Sequence, residues 1–267
     1  MLPLTRAVAY AIVPFLVAGF AVLYPVPGDT ESLFAWPIRP GLTAMVLGSA
    51  YLGGAYFFVR VARSQAWHTV KGGFVPVGLF ATLMGISTVL HWDRFTHDHV
   101  AFWLWTLLYC TTPFLIAAVW LRNRPYDAAA DPGEPLVPWA VAMAMLAAGV
   151  LAVATAGLLY LAPATAARWW PWPLTPLTAR VLGAVLCLGS AGIGAALDRR
   201  WSAARLPLQV AAIMLTLMLV AGLRARADLD AASPLTYVFA AGFAALAAGI
   251  VVLYRIMERA VRPGRRR

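Results

Sequence analysis

The sequence predicts an all-α membrane protein of eight transmembrane helices, arranged as two parallel four-helix repeats. Three observations carry that reading: a shortage of charge, eight uncharged windows of membrane-spanning length, and an internal match at a spacing of about 135 residues. Of the 267 residues, 62% are hydrophobic and only 12% charged, with a mean hydropathy of +0.76. A soluble domain carries roughly 25% charged residues, so this chain lacks the means to cover a water-facing surface. Soluble, disordered and nucleic-acid-binding classes are excluded together, although Lys and Arg outnumber Asp and Glu by 21 to 11.

The uncharged windows are 7–28, 40–59, 72–92, 99–121, 135–167, 181–197, 206–223 and 231–254. A hydrocarbon core of ~30 Å takes ~20 apolar residues as a helix, so each window holds one span. The first exceeds the ~7–15-residue apolar core of a signal peptide and is read as a true span. The sixth and seventh are the shortest, joined only by Asp198 to Arg205, and a re-entrant hairpin remains the alternative there. Cys110 and Cys187 both fall inside windows, so no disulfide framework is implied.

Basic residues near helix ends resist translocation. One set of alternate loops holds fifteen Lys and Arg and the other six, which puts both termini in the cytoplasm. The C-terminal run Arg262 to Arg267 then faces an anionic leaflet, where each basic residue is worth about 1 kcal/mol. The expected partners are therefore the bilayer and anionic lipid at that tail, with no nucleic acid. Trp36, Trp92, Trp169, Trp170 and Trp172 fall at outer helix ends, where indole rings favour the lipid interface.

Tyr24, Trp36, Pro37 and Pro40 recur as Tyr160, Trp172, Pro173 and Pro176. Thr43, Ala44, Gly48 and Gly54 recur as Thr178, Ala179, Gly183 and Gly189. Weaker matches pair Leu90, Val119 and Arg122 with Leu223, Val252 and Arg255. The repeats occupy residues 1–124 and 137–267, with a cytoplasmic linker at 125–136. Four is an even number of spans, so both copies enter from the same side and the axis relating them lies along the membrane normal. Transporters built this way hold their site between the halves. The second and sixth spans, rich in Gly and Ala, are the expected contact helices, because lipid supplies no hydrophobic drive and small residues let backbones meet.

No charged residue occupies the centre of a window, which argues against a proton relay. The deepest polar patch is Tyr109, Thr111 and Thr112 beside Pro113, a candidate substrate site whose hydroxyls equally serve the carbonyl freed by the proline. The outer loop gathers three of the four histidines. His91, Asp93, His97 and His99 are residue types that bind a divalent metal, the one cofactor the sequence raises. The competing readings are a solvated loop, or a polar lid pairing Asp93 or Asp98 with Arg94, Arg224 or Arg226. No phosphate loop, nucleophile elbow, HExxH or CxxCH occurs, so no catalytic residue is named. Three functions stay open: binding or passage of a small molecule or ion between the halves; a non-catalytic subunit assembling with other membrane proteins or with itself; and, third, a membrane enzyme.

Trp172-Pro-Leu-Thr-Pro-Leu-Thr-Ala-Arg180, Phe102-Trp-Leu-Trp105 and Trp120-Leu-Arg-Asn-Arg124 stand in a chain with a single lysine among its 21 basic residues. In these features the chain resembles uncharacterised multi-pass integral membrane proteins of GC-rich, actinobacterial-like bacteria. The resemblance implies a bacterial inner membrane and carries no activity.

Overall fold

The structure, a computed structural model, describes residues 2–127 and 133–261. The basic run Arg262 to Arg267 and part of the linker lie outside the described residues. Eight stretches are helical, long and apolar enough to cross a membrane. They are α1 (Pro3–Leu23), α2 (Gly41–Arg63), α3 (Phe74–Leu90), α4 (Val100–Asn123), α5 (Trp139–Leu161), a sixth span in two pieces, α6 (Pro176–Cys187) and α7 (Ser190–Asp198), then α8 (Trp201–Arg224) and α9 (Pro234–Val261). The sixth and seventh spans, at 23 and 24 residues, lie within the 20–28 residues of the others, long enough to cross rather than re-enter. Proline opens α1 and α6, where a missing N–H is no loss. Thr175 and Thr178 close a capping box on α6.

The helix α2 lies at the centre. In its most apolar stretch 78% of residues are buried, against none in the corresponding stretch of α9. It packs on α1, α8 and α6, while α6 and α7 together pack on α5, α3 and α2; α3 also pairs with α4, and α8 with α9. Backbones meet where glycine removes the side chain. A Cβ on Gly48 would stand 3.1 Å from the Tyr24 Cβ, and one on Gly183 would stand 2.8 Å from the Ala156 carbonyl oxygen. The second and sixth spans do touch, yet these glycines seat on α1 and α5. Gly53 of α2 instead faces α8, where a Cβ would lie 2.7 Å from the Met214 side chain.

The sixth span breaks at Leu188 and Gly189. There the helix tightens into i→i−3 bonds, Gly189 N–H to Leu186 O at 2.9 Å and Gly192 N–H to Gly189 O at 2.9 Å. Such tightening leaves poorer geometry than the α-helical ladder and marks a local departure from it. At the break α5 crosses against Gly189 and Gly192, with Ala152 and the Met145 carbonyl next to them.

Two tryptophans depart from the expected lipid belt. Trp36 is 2% exposed and Trp172 8%. The prolines after each hold the backbone extended ahead of the next helix, and the indoles fold inward, Trp36 onto Phe34, Phe95 and Trp105. Trp172 donates its Nε1–H to Thr43 Oγ1 of α2 at 2.9 Å. Trp169, 72% exposed, keeps the belt position.

Candidate functional site

The loops rich in arginine all lie at one end of the bundle, where they bind one another. Lys71, between α2 and α3, places its Nζ 2.7 Å from Asp127 Oδ2 and 3.1 Å from Asp198 Oδ2. Arg200 holds Asp198 through its Nε and NH2 and approaches Asp127 at 3.9 Å. Three loops are thus joined by two cations and two carboxylates, all partly buried. Leu136 pairs with Arg200 across an isolated antiparallel bridge, which adds the end of the linker to the same knot.

Beside this network opens a cavity of about 800 Å³. Its apolar wall includes Val75 and Pro76 of α3, Trp120 of α4, Ile193 of α7 and Pro207 of α8; Lys71, Arg124, Asp127 and Asp198 form its polar end. Gly72, Gly194 and Ala195 contribute space by contributing little side chain. Along α7 the cavity runs from Asp198 to Ser190, about 12 Å at 1.5 Å per residue. Ser190, just past the break, lines it with a buried Oγ that has no hydrogen-bond partner among the described residues. Arg124 stacks its guanidinium 4.8 Å over the Trp120 ring and makes no ion pair among them. The lining therefore comes from both the first four spans and the last four, apolar along the helices and charged at the end beside the network. That arrangement suits one amphipathic molecule.

The polar patch of α4 is built differently. Tyr109 is buried, its hydroxyl 2.9 Å from that of Tyr51 on α2. Thr111 is exposed and donates to the Leu107 carbonyl at 2.7 Å, while Thr112 is buried with an unpartnered Oγ. Among the described residues the three share no cavity with the 800 Å³ one. Pro113 frees the Tyr109 carbonyl, which instead faces Gly85 of α3, 2.9 Å from where a Cβ would lie.

The histidine-bearing loop between α3 and α4 is dispersed. His91 accepts a hydrogen bond at Nε2 from Arg180 of α6. The His97 ring sits between those of Trp92 and Phe102, and His99 lies 3.4 Å from the Phe34 carbonyl. Among the described residues no three His, Cys, Asp or Glu side chains group so as to hold a metal ion. Asp93, Asp98, Arg94 and Arg226 make no ion pair there either. Arg224 donates to the carbonyls of Tyr24 and Pro25, and Asp228, a neighbour that the sequence had not singled out, accepts the Leu42 N–H at the start of α2 at 2.9 Å. A carboxylate at a helix N-terminus meets both unpaired N–H groups and the positive end of the dipole.

His91 makes its contact with Arg180 sensitive to acid. Burial, then the fields of Arg180 and Arg94, hold its pKa below the usual histidine value of about 6.5. The unfolded chain therefore takes the proton first as pH falls, and stability is lost from about pH 6.5 down to the lowered native value. We expect the melting temperature of the purified protein to drop between pH 7.5 and 5.5, and His91→Asn, which keeps an acceptor for Arg180 without titrating, to flatten that drop. An equally steep drop in the variant would remove His91 from the account.

The sequence pointed to neither the Lys71 network nor the cavity. Lys71, the lone lysine, was the available signal, but its partners come from two other loops that no spacing relates to it. Compared with known proteins, the chain matches no family model, no curated protein and no solved structure.

Proposed function

We propose that the chain is a bacterial inner-membrane protein, both termini cytoplasmic, that binds a small amphipathic molecule between its first four and last four spans. The observation that carries this is the cavity lined by α3 and α4 on one side and by α7 and α8 on the other, with a broken span and an unpartnered hydroxyl in its wall. Broken helices are how membrane proteins bring backbone and side-chain polar groups to a site at depth.

Several contacts support a duplicated architecture of two parallel four-helix units. Tyr24 donates to the Leu217 carbonyl of α8 at 2.7 Å, and its match Tyr160 donates to the Leu83 carbonyl of α3 at 2.8 Å. Within the outer loops, Thr96 N–H binds Ala35 O at 2.9 Å and Asp230 N–H binds Pro171 O at 2.8 Å. The helix neighbours correspond too: α1 on α2 and α5 on α6, α2 on α8 and α6 on α3. These pairings fit an axis along the membrane normal passing between α2 and α6.

Gly194 provides the test, since a Cβ there meets nothing within 4 Å. In a background with Cys110 and Cys187 replaced by alanine, Gly194→Cys is expected to react with a charged, membrane-impermeant thiol reagent in inside-out vesicles and not in right-side-out ones. Leu151→Cys, on an exposed apolar face of α5, is expected to stay unreacted in both. A ten-carbon alkyl carboxylate or alkyltrimethylammonium should protect Gly194→Cys, and which of the two protects better names the preferred headgroup charge. Protection by neither would overturn the binding reading, and reaction only from the opposite side would reverse the orientation.

A further inference from the structure

A second, smaller cavity of about 330 Å³ lies between the inner ends of α2 and α8. Its lining is Arg60, Arg63, Ser64, Thr69, Ser202 and Arg205, with Val70 and Leu206 behind. The contrast with the larger cavity is one of charge balance. There the single lysine is met by two carboxylates; here three arginines line the cavity, the exposed Arg63 among them, and only one is ion-paired. Arg205 approaches Glu258 at 3.1 Å and donates to Tyr254. Arg60 spends one nitrogen on neutral acceptors, the Tyr56 hydroxyl at 2.9 Å and Gln209 Oε1 at 3.3 Å. Arg63 has no partner among the described residues. The other carboxylate close by, Glu134, accepts the Ser202 N–H at 3.1 Å. Ser202 itself has a buried Oγ with no hydrogen-bond partner among the described residues.

We propose that this cavity binds an anionic phosphate group, as the headgroup of an acidic phospholipid or as a free phosphate ester. Guanidinium groups match phosphate oxygens through paired N–H donors, and three of them from two helices line one small volume together with the unpartnered Ser202 hydroxyl. The Ser64 and Thr69 hydroxyls beside them donate to the Ala66 carbonyl. The volume accommodates a glycerophosphate headgroup. Its place at the ends of two membrane helices, among arginine-rich loops, is the level at which basic pockets between helices meet lipid headgroups. Ser202 supplies an unused hydroxyl, and Arg63 an unpaired guanidinium, for the oxygens that no group of this chain fills.

Native mass spectrometry of the full-length protein, released from micelles containing phosphatidylglycerol or phosphatidylcholine, tests this. The wild type is expected to retain phosphatidylglycerol in preference to phosphatidylcholine. The double variant Arg60→Gln with Arg63→Gln should weaken phosphatidylglycerol retention about thirty-fold, the loss expected for two basic residues near an anionic headgroup. A variant with Arg265, Arg266 and Arg267 all changed to Gln controls for lipid held by the tail and should retain the preference. Glycerol 3-phosphate in excess separates the two sources: displacement of the lipid means the site reads the phosphate group alone, and persistence of the lipid means the acyl chains are part of the ligand. Ser202→Ala, which removes only the unpartnered hydroxyl, should weaken retention about ten-fold, as for loss of one hydrogen bond to a charged group, worth at least about 1.5 kcal/mol. A double variant that elutes as the wild type does on size exclusion and keeps the full preference overturns the proposal. So does a wild type with no preference and no glycerol 3-phosphate binding.

Discussion

Gly183→Ala is expected to lower the stability of the purified protein by about 2 kcal/mol, within the ~1–3 kcal/mol typical of overpacking, while Gly194→Ala leaves it unchanged or slightly raises it. Both residues sit on the sixth span, and both changes add one methyl group. At Gly183 the new Cβ would lie 2.8 Å from the Ala156 carbonyl oxygen and 3.3 Å from the Tyr160 backbone nitrogen, so α5 and α6 must separate. Neither obstacle is a flexible side-chain end that swings aside. Separation also draws Tyr160 away from the Leu83 carbonyl, a bond between the last four spans and the first four. At Gly194 the methyl enters open space, and replacing a helical glycine gains up to about 1 kcal/mol of backbone entropy. The fraction surviving a heat ramp by size-exclusion chromatography compares the two directly. Equal behaviour would mean that α5 and α6 are not held at the distance described.

Lys71→Met is the second large effect, expected at about 2 kcal/mol. The substitution keeps most of the side-chain volume and removes the charge that lies against Asp127 and Asp198. With only Arg200 left to neutralise two carboxylates, one of them stays partly buried and uncompensated. Exposed pairs contribute ~0–1 kcal/mol and breaking fully buried ones costs ~3–5 kcal/mol. The side chains of this network, from 11% to 36% exposed, fall between those limits. Lys71→Arg should retain most of the stability. Adding Asp127→Asn to Lys71→Met should restore part of it, because the surplus negative charge goes with the carboxylate. High salt should narrow the gap between wild type and Lys71→Met, since screening at 1 M reaches down to about 3 Å. A gap that does not respond to salt would mean that the loss is one of packing and not of charge.

The spans were legible because the bilayer imposes a length and forbids charge, and both constraints can be read residue by residue. Their ends were less so. The window 135–167 divides at Pro163 into α5 and a separate short helix, Pro163–Ala167. Trp36 and Trp172 were misplaced because an indole at a helix end is equally at home in lipid or under a loop, and only the fold decides which. The clustered histidines were visible as ionisable groups, but the partner that governs His91 is Arg180, 89 positions away on another helix. Tyr109 was visible as a buried hydroxyl, and Tyr51, which satisfies it, was not. The cavity was the least legible feature of all, because its wall comes from four helices that no spacing relates, with small residues such as Gly194 leaving part of its space. Composition records which residues are small. It does not record which of them face one another across a gap.

Lys71 has one more consequence. It carries the sole lysyl amine in 267 residues, and that amine is clasped by carboxylates from two other loops at the mouth of the larger cavity. Apart from the chain's own amino terminus, an amine-directed reagent has a single atom to find, one that ion pairs with Asp127 and Asp198 hold in place and make slow to react. The rate of acylation at that one nitrogen therefore reports how often the clasp opens, with no label added and no residue changed.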